Sequence, residues 1–477
     1  MLDQDVLGLT PEEAAELPDP RELVQHLTGL AKRTVPEVLR AADRSGTPVV
    51  QPRCGVGGHR EMLSLLRSLE AGAAPGILSV TIDSHTRLRH FDTAAATLRE
   101  HPSHLNGYPL VAHGWRRGRE LNASVAAPLE VRHGSPDARR LFAVSVASGI
   151  TSFEGGGISY NLPYSKNVPL ERSLRAWRQV DRACGELARA GVVVDRELFG
   201  TLTAVLVPPS ISLAVTLLEA VAAVAEGVRC VSIAYPQGGE IHQDVAALRS
   251  IRALAARHLP PHVEVFPVLH QFMGVFPAEA DRAEALILYG ALTGRLGGAT
   301  KIINKTCQEA HGIPDAEANV RGMRTTALGL SRLLDFVALD EERVAEEAYW
   351  IQREVSELVE PLLGGRALHE EIDRAFRAGR LDIPFSASVH ARSEIVPKRD
   401  ASGALRYFDV GGLPFSRAVT DRNEVLLGGS GGHNGSRSGS PTGTRLIEEI
   451  TRDIDYFADR GLDRVRHPLG QERTWTT

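Results

Sequence analysis

Cysteine is scarce in this chain of 477 residues: Cys54, Cys184, Cys230 and Cys307 are scattered, with no CxxC pair. That argues against a structural zinc site or a disulfide framework and suits a reducing cytosol. Charge of one sign is missing too. A net charge of -5 gives no basic footprint for nucleic acid. The cluster Arg116, Arg117, Arg119 reads as a solvated helix face. No apolar run is long enough for a bilayer: the longest, Ile211 to Ala225, is broken by Glu219 and followed by Glu226, which predicts a buried helix. The opening MLDQDVLGLTPEEAAELPDP is acidic and has no apolar core, so a signal peptide is not expected there. No GxGxxG follows a strand-like run, and there is no P-loop and no GxSxG elbow at a strand-to-helix turn. His85, His133 and His270 lack metal-ligand spacing, so no metal site is expected. A cytoplasmic enzyme, with no nucleic-acid or membrane partner, is the expectation.

What is present is alternation. Residues 1–46 read as an N-terminal helical segment, with apolar residues at helical spacing (Leu23, Val24, Leu27, Leu30, then Val38, Leu39). From Thr47, short apolar runs alternate with helical stretches. The runs cover 47–55, 76–83, 108–114, 128–134, 150–157, 202–209, 229–239, 263–271 and 299–306. Strands alternating with helices imply a parallel sheet wrapped by helices. So many repeats predict an α/β fold: a (β/α)8 TIM-like barrel over 47–335. Nine runs compete for eight places, so at least one lies outside the ring. A C-terminal helical and extended region follows (336–427), then a flexible Gly/Ser linker (428–444) and a last helix and tail (445–477).

The runs end alike. Arg53 follows the first and Arg87 the second; Arg132 and His133 follow PLEV, Glu154 follows ITSF, and His270 and Gln271 follow VFPVL. Lys301 and Lys305 flank IIN, with Glu309 one helical turn on. In a barrel these ends converge on one face, where active sites lie. Taken singly, each arginine reads as a surface salt bridge, and Lys305–Glu309 as a structural ion pair. Three arginines at one mouth instead suit a small dicarboxylate, gripped through bidentate forks. Glu154 would accept from an ammonium, and the phenols of Tyr160 and Tyr164, beyond the triplet Gly155, Gly156, Gly157, would orient the carboxylates. The deduced ligand is a dicarboxylic amino acid.

With these residues in hand, the chain resembles the large (epsilon) subunit of the glutamate mutase, or methylaspartate mutase, family. The matching stretches include QPRCGV, TIDSHTR, VRHGSPDAR, TSFEGGGISYNLPYSKNVPLE, HQFMGVFP and GATKIINKTCQEAHGIPDAEAN, in the family's order, across roughly 47–415. The resemblance implies an isomerase: a barrel that binds L-glutamate and, with a small cobalamin-binding (sigma) subunit, carries adenosylcobalamin. It implies radical rearrangement of glutamate to 3-methylaspartate. It maps the carboxylate grip onto Arg53, Arg87 and Arg132, with His133 beside the substrate. The base near the amino group maps onto Glu154, and the two tyrosines onto Tyr160 and Tyr164. Cofactor contacts map onto Gly55, Asn106, Pro163, Phe276, Lys305, Glu309 and Ile313, with Lys305 and Glu309 at the adenosyl ribose.

The chain departs from the family pattern at His85, Phe272, Val275, Cys307 and Gln308. These changes flank the adenosyl end more than the arginine grip. The small subunit's DxHxxG motif, whose histidine ligates cobalt, fails here: Asp83 and His85 begin it, but Leu88 stands in the glycine's place. A partner supplying that histidine is therefore expected, in a heterotetramer built on a homodimer of this chain. Two other readings compete. One is a Schiff-base lyase or aldolase using Lys301 or Lys305; the other is a glutamate-binding homologue without turnover.

Overall fold

The computed structural model describes residues 4–365, 367–428 and 443–458. Most of the expected Gly/Ser linker, and the polar tail, lie outside them. Eight parallel strands form the centre: β1 (Val49–Gln51), β2 (Leu78–Thr81), β3 (Leu129–Arg132), β4 (Ser152–Glu154), β5 (Asp195–Leu198), β6 (Cys230–Pro236), β7 (Glu264–His270) and β8 (Lys301–Ile303). Their order is β1-β8-β7-β6-β5-β4-β3-β2. The remaining seam closes beyond the ladder, where the Thr81 N–H donates to the Cys54 carbonyl at 2.8 Å. The Ser79 hydroxyl, on β2, bonds the Pro52 carbonyl at 2.7 Å. The result is a (β/α)8 TIM-like barrel with helices around it.

Seven of the nine sequence runs coincide with these strands. YPLVAHG at 108–114 instead opens the helix Leu110–Ala123, and only Tyr108 touches the sheet, in a single bridge to Ile82. LTAVLVPP at 202–209 is a chain of turns. Leu202, Ala204 and Leu206 all have positive φ (50°, 60° and 46°), which no strand tolerates. Its apolar residues are buried beside the C-terminal region, to which the Thr203 hydroxyl bonds through the Pro384 carbonyl at 3.1 Å. The fifth strand is DREL at 195–198, all four residues buried.

The N-terminal helix Val35–Ser45 starts at a capping box of Thr34 and Glu37 and stops at Gly46 in the left-handed conformation. Its apolar face packs Val35, Val38 and Leu39 against Ile77, Cys230 and Phe266, at the starts of β2, β6 and β7. Arg40 pairs with Glu264 at 2.6 Å, and the Val35 N–H bonds the Thr151 hydroxyl. Burying three aliphatic side chains there contributes ~1.5–3 kcal/mol each. This helix closes the N-terminal end of the barrel. The helix Pro209–Ala225 is buried almost throughout, as its apolar run predicts. Among the described residues no helix is long and apolar enough to cross a membrane.

After the barrel come the helices Glu341–Leu363 and Leu368–Arg377, then an irregular stretch holding the antiparallel pair β9 (Val396–Arg399) and β10 (Leu405–Asp409). The irregular stretch leans on the loop after β4: Val389 N–H to Lys166 carbonyl at 3.0 Å and Ser386 hydroxyl to Leu162 carbonyl at 2.7 Å. The last described helix, Gly443–Ile454, lies against β9 through Lys398–Glu449 and Arg399–Asp453. Beyond it, Phe457 meets Phe272 edge-to-face, 4.9 Å between ring centres.

Candidate active site

In a barrel strand, alternate residues point inward. Here the inward set is polar: Glu130 and Arg132 on β3, Ser152 and Glu154 on β4, Asp195 and Glu197 on β5, Ser232 on β6, His270 on β7 and Lys301 on β8, all buried. Lowest in the column, Asp195 accepts from the Ser152 and Ser232 hydroxyls at 2.9 Å each. Ser152 Oγ also lies 3.0 Å from Glu130 Oε2. Lys301 bridges Glu130 and Glu197. Above them Arg132 donates through Nη1 to Glu130 at 2.8 Å and to Glu197 at 3.2 Å, and through Nη2 to Glu154. His270 joins Glu197 at 3.0 Å through Nε2 and the Thr201 hydroxyl at 3.2 Å through Nδ1.

The loop after β4 is built to bring a phenol back onto its own carboxylate. Gly155 has φ of 109°, and a Cβ there would lie 2.2 Å from the Tyr160 ring. Glu219, from the buried helix, accepts the N–H groups of Ile158 and Ser159 at 2.8 and 2.9 Å and fixes the turn. Arg196, pointing outward from β5 and held by Asp181, donates to the Phe153 and Gly155 carbonyls. The Tyr160 hydroxyl thereby donates to Glu154 Oε2. Gly155→Ala is expected to cost ~3 kcal/mol of stability, through the wrong backbone region and overpacking, and to abolish turnover. A thermal melt and an assay check it; a melt unchanged from the parent chain would sink the account.

The charges do not balance: four buried carboxyls face two permanent cations. Burial and the charge of Glu197 push Glu130 up to about 7. Burial, helped by Glu197 and Glu130 and opposed by Arg132, pushes Glu154 up to about 8. Burial would raise Glu197 as well, but Lys301 and Arg132 hold it well below the ordinary carboxylate range. Burial presses Lys301 downward, yet Glu130 and Glu197 keep it above its usual value. Burial drives His270 down to about 3, so its ring is neutral. Glu154, Glu197 and His270 present ligand atoms within 4.8 Å of one another, as a metal site would. The Arg132 fork donates to both glutamates and lies 3.3 Å from His270 Nε2, whose proton goes to Glu197, so the guanidinium is the cation there.

Every residue expected at the substrate is at this mouth. Arg132 ends β3, His133 follows it, Glu154 ends β4, Arg53 follows β1, and Arg87 closes the short helix Ser84–Arg87 after β2. Arg53 and Arg87 have no ion-pair or hydrogen-bonded side-chain partner among the described residues; with Arg132 they surround Tyr164. Tyr164 is 42% exposed at the lip of the cleft and meets Tyr160 edge-on at 5.7 Å. His133 accepts from the Ser135 N–H through Nδ1 and stacks on Trp177. Burial holds its pKa well down, so the proton sits on Nε2, which has no bonded partner. Arg132 Nε is likewise buried and unpartnered. Gln51 adds a free buried amide. The unmet groups are chiefly donors, and they call for an acceptor-rich, anionic ligand.

A second ring of residues rims the mouth. Lys305, buried after β8, donates to Glu309 at 2.6 Å. Burial lowers its pKa, against the pull of Glu309. Gly55 lies where a Cβ would meet the Thr81 carbonyl at 2.4 Å. Asn106 accepts from the Ser84 N–H at 2.9 Å. Pro163 is half-buried, Phe276 packs with Phe272 under the β7 loop, and Ile313 is largely exposed. A lysine–carboxylate pair suits a sugar diol, and exposed Ile313 and Val275 suit a flat apolar face. These residues fit a nucleoside-bearing macrocycle over the substrate cleft.

The sequence reading passed over Glu130, Asp195 and Glu197. The signal was there in period two: acid, apolar, arginine in EVR and acid, arginine, acid in DRE. The arginine in contact with Glu154 also differs from the expected picture. Its fork is already engaged by three carboxylates, and Glu154 by Arg132 and Tyr160.

A family profile described as Methylaspartate mutase E chain matches residues 31–437. A glutamate mutase epsilon subunit from Yersinia enterocolitica is 40% identical over 404 residues, 81% of this chain and 84% of its own. That of Desulfitobacterium hafniense is 40% identical over 420 residues, 85% of each chain. That of Halobacterium salinarum is 43% identical over 369 residues, 76% of this chain and 77% of its own.

Proposed function

The chain belongs to the methylaspartate mutase E chain family, and from that premise we propose that it is the large subunit of an adenosylcobalamin-dependent glutamate mutase, converting L-glutamate to 3-methylaspartate. The observation that carries the reading is the donor-rich cleft between Arg53, Arg87, Arg132 and His133, with a carboxyl, Glu154, at its centre. A substrate with two carboxylates satisfies the donors, and its ammonium answers Glu154.

Arg53 and Arg87, without other partners, take one carboxylate, and Arg132 with His133 Nε2 takes the other. Glu154 receives the ammonium and holds or takes its proton, poised by a pKa near the working pH. Tyr160 fixes the rotamer of Glu154, and Tyr164 shields the cleft from water. Lys305 and Glu309 would hold the adenosyl ribose; Gly55, Asn106, Pro163, Phe276 and Ile313 would line the rest of the cofactor face. Bound adenosylcobalamin supplies a homolysable cobalt–carbon bond and so the hydrogen-abstracting power. The cobalt's histidine comes from a small cobalamin-binding subunit, in a heterotetramer.

At Lys301 the Schiff-base reading is weaker on this geometry, and at Lys305 the amine is engaged by Glu309. That chemistry needs a neutral lysine, and Lys301 is tied between two carboxylates that keep it protonated. Borohydride with substrate is expected to trap no adduct. The direct test mixes this chain with a cobalamin-binding small subunit, adenosylcobalamin and glutamate. The expected results are 3-methylaspartate and a cob(II)alamin–organic radical signal in EPR. Cofactor binding with neither product nor signal would reject glutamate as the substrate.

A further inference from the structure

Arg132 is held through both Nη groups and not through Nε. Nη1 is anchored by Glu130 and Glu197, which Lys301 ties together from below. Nη2 reaches Glu154, and Nε has no partner at all. Nε and Nη2 lie along the same edge of a guanidinium, the pair that grips a carboxylate side-on. Arg132 and Glu154 thus bond one another directly. A zwitterionic substrate offers each the same charge it would give up: a carboxylate for Arg132 and an ammonium for Glu154.

We propose that Glu130, Glu197 and Lys301 are positioning residues that keep Arg132 anchored through Nη1 while Nη2 passes from Glu154 to a substrate carboxylate and the unpartnered Nε joins it there. This rests on the glutamate reading above. None of the three touches the substrate; they act through Arg132. Without them the remaining carboxylate partner of Arg132 is Glu154, and the arginine would follow it or swing out of the floor. Charge complements the geometry. Glu154 faces Glu130 and Arg132 of β3, His133 just beyond it, Tyr160 and Tyr164 of its own loop, Glu197 of β5 and His270 of β7. Lys301 of β8 stands behind Glu130 and Glu197, and Arg53 and Arg87 lie beyond Tyr164. Of the acids in that set, Glu197 stays ionised and opposes ionisation of Glu154.

The test uses the enzyme reconstituted with its small subunit and cofactor. Glu197→Gln keeps acceptor and shape and removes the charge. Its KM for glutamate is expected to rise about tenfold with a much smaller change in kcat, the mark of lost ground-state grip. The acid limb of its kcat/KM profile is expected to move to lower pH, because Glu154 then ionises more easily. A purely structural role would leave that limb in place. An active parent enzyme whose variant keeps both KM and the acid limb overturns this proposal alone. A parent that never turns over glutamate overturns the glutamate reading, and this proposal with it. If the single variant fails to fold, Glu197→Gln with Lys301→Met removes a matched pair of charges. The rise in KM persists there if anchoring is the role, and a parent-like KM overturns it.

Discussion

Replacing Arg132 by lysine is expected to lower kcat/KM for glutamate by about 10²- to 10³-fold, or ~3–4 kcal/mol at ~1.4 kcal/mol per decade. The charge is conserved, so the loss measures the fork. Arg132 serves Glu130, Glu197 and Glu154 at once and has Nε in reserve. An ammonium at the end of a flexible stem cannot face three carboxylates in the floor and a fourth on the substrate. At least one buried carboxylate is left without a donor, and stability should fall by ~2 kcal/mol as well. A control sets the scale. Arg175 pairs with Glu171 on an exposed helix face, and lysine there should change neither activity nor melting. Normal glutamate turnover by Arg132→Lys would remove this arginine from the carboxylate grip.

Glu154→Gln should cut kcat/KM by about 10²- to 10⁴-fold, the range of a general acid–base group, since glutamine neither pairs with an ammonium nor takes its proton. Its effect on stability runs the other way. An acid whose pKa is raised on folding favours the native state while protonated. That contribution is complete below the ordinary value of 4.5 and is lost as pH climbs through about 8. Glutamine copies the protonated acid and does not titrate. Denaturant melts between about pH 5 and 9 should show the parent losing stability toward the alkaline end and the variant losing less. Parallel pH profiles for the two would show that Glu154 is ionised in the folded, ligand-free chain.

The barrel was legible because its punctuation was. Short runs ended in polar residues, and Arg53, Arg87, Arg132, His133 and Glu154 stood at equivalent ends. The fifth strand hid because every inward residue on it is charged. Asp195 and Glu197 find partners only across the barrel, in Ser152, Ser232, Arg132 and Lys301, and no local pattern announces them. The opposite error arose at 202–209. Apolar residues there are buried by the C-terminal region rather than by a sheet, so hydrophobicity was right and backbone conformation wrong. Sequence also picked out candidate residues that gather at one mouth, without how they pair there. That Arg132 and Glu154 bond one another depends on side-chain distances, which spacing does not encode.

The helix Val35–Ser45 gives the barrel a bottom. With that helix packed against the strand starts, the cleft opens, among the described residues, on the opposite face, where Tyr164 and Ile313 are exposed. Anything that docks across the doorway meters entry and exit together. Order of addition then becomes a variable: glutamate present before the small subunit should be caught inside, and glutamate added afterwards should wait for the doorway to clear. If the small subunit proposed above covers that opening, product leaves by the same route and its release waits on the subunit lifting.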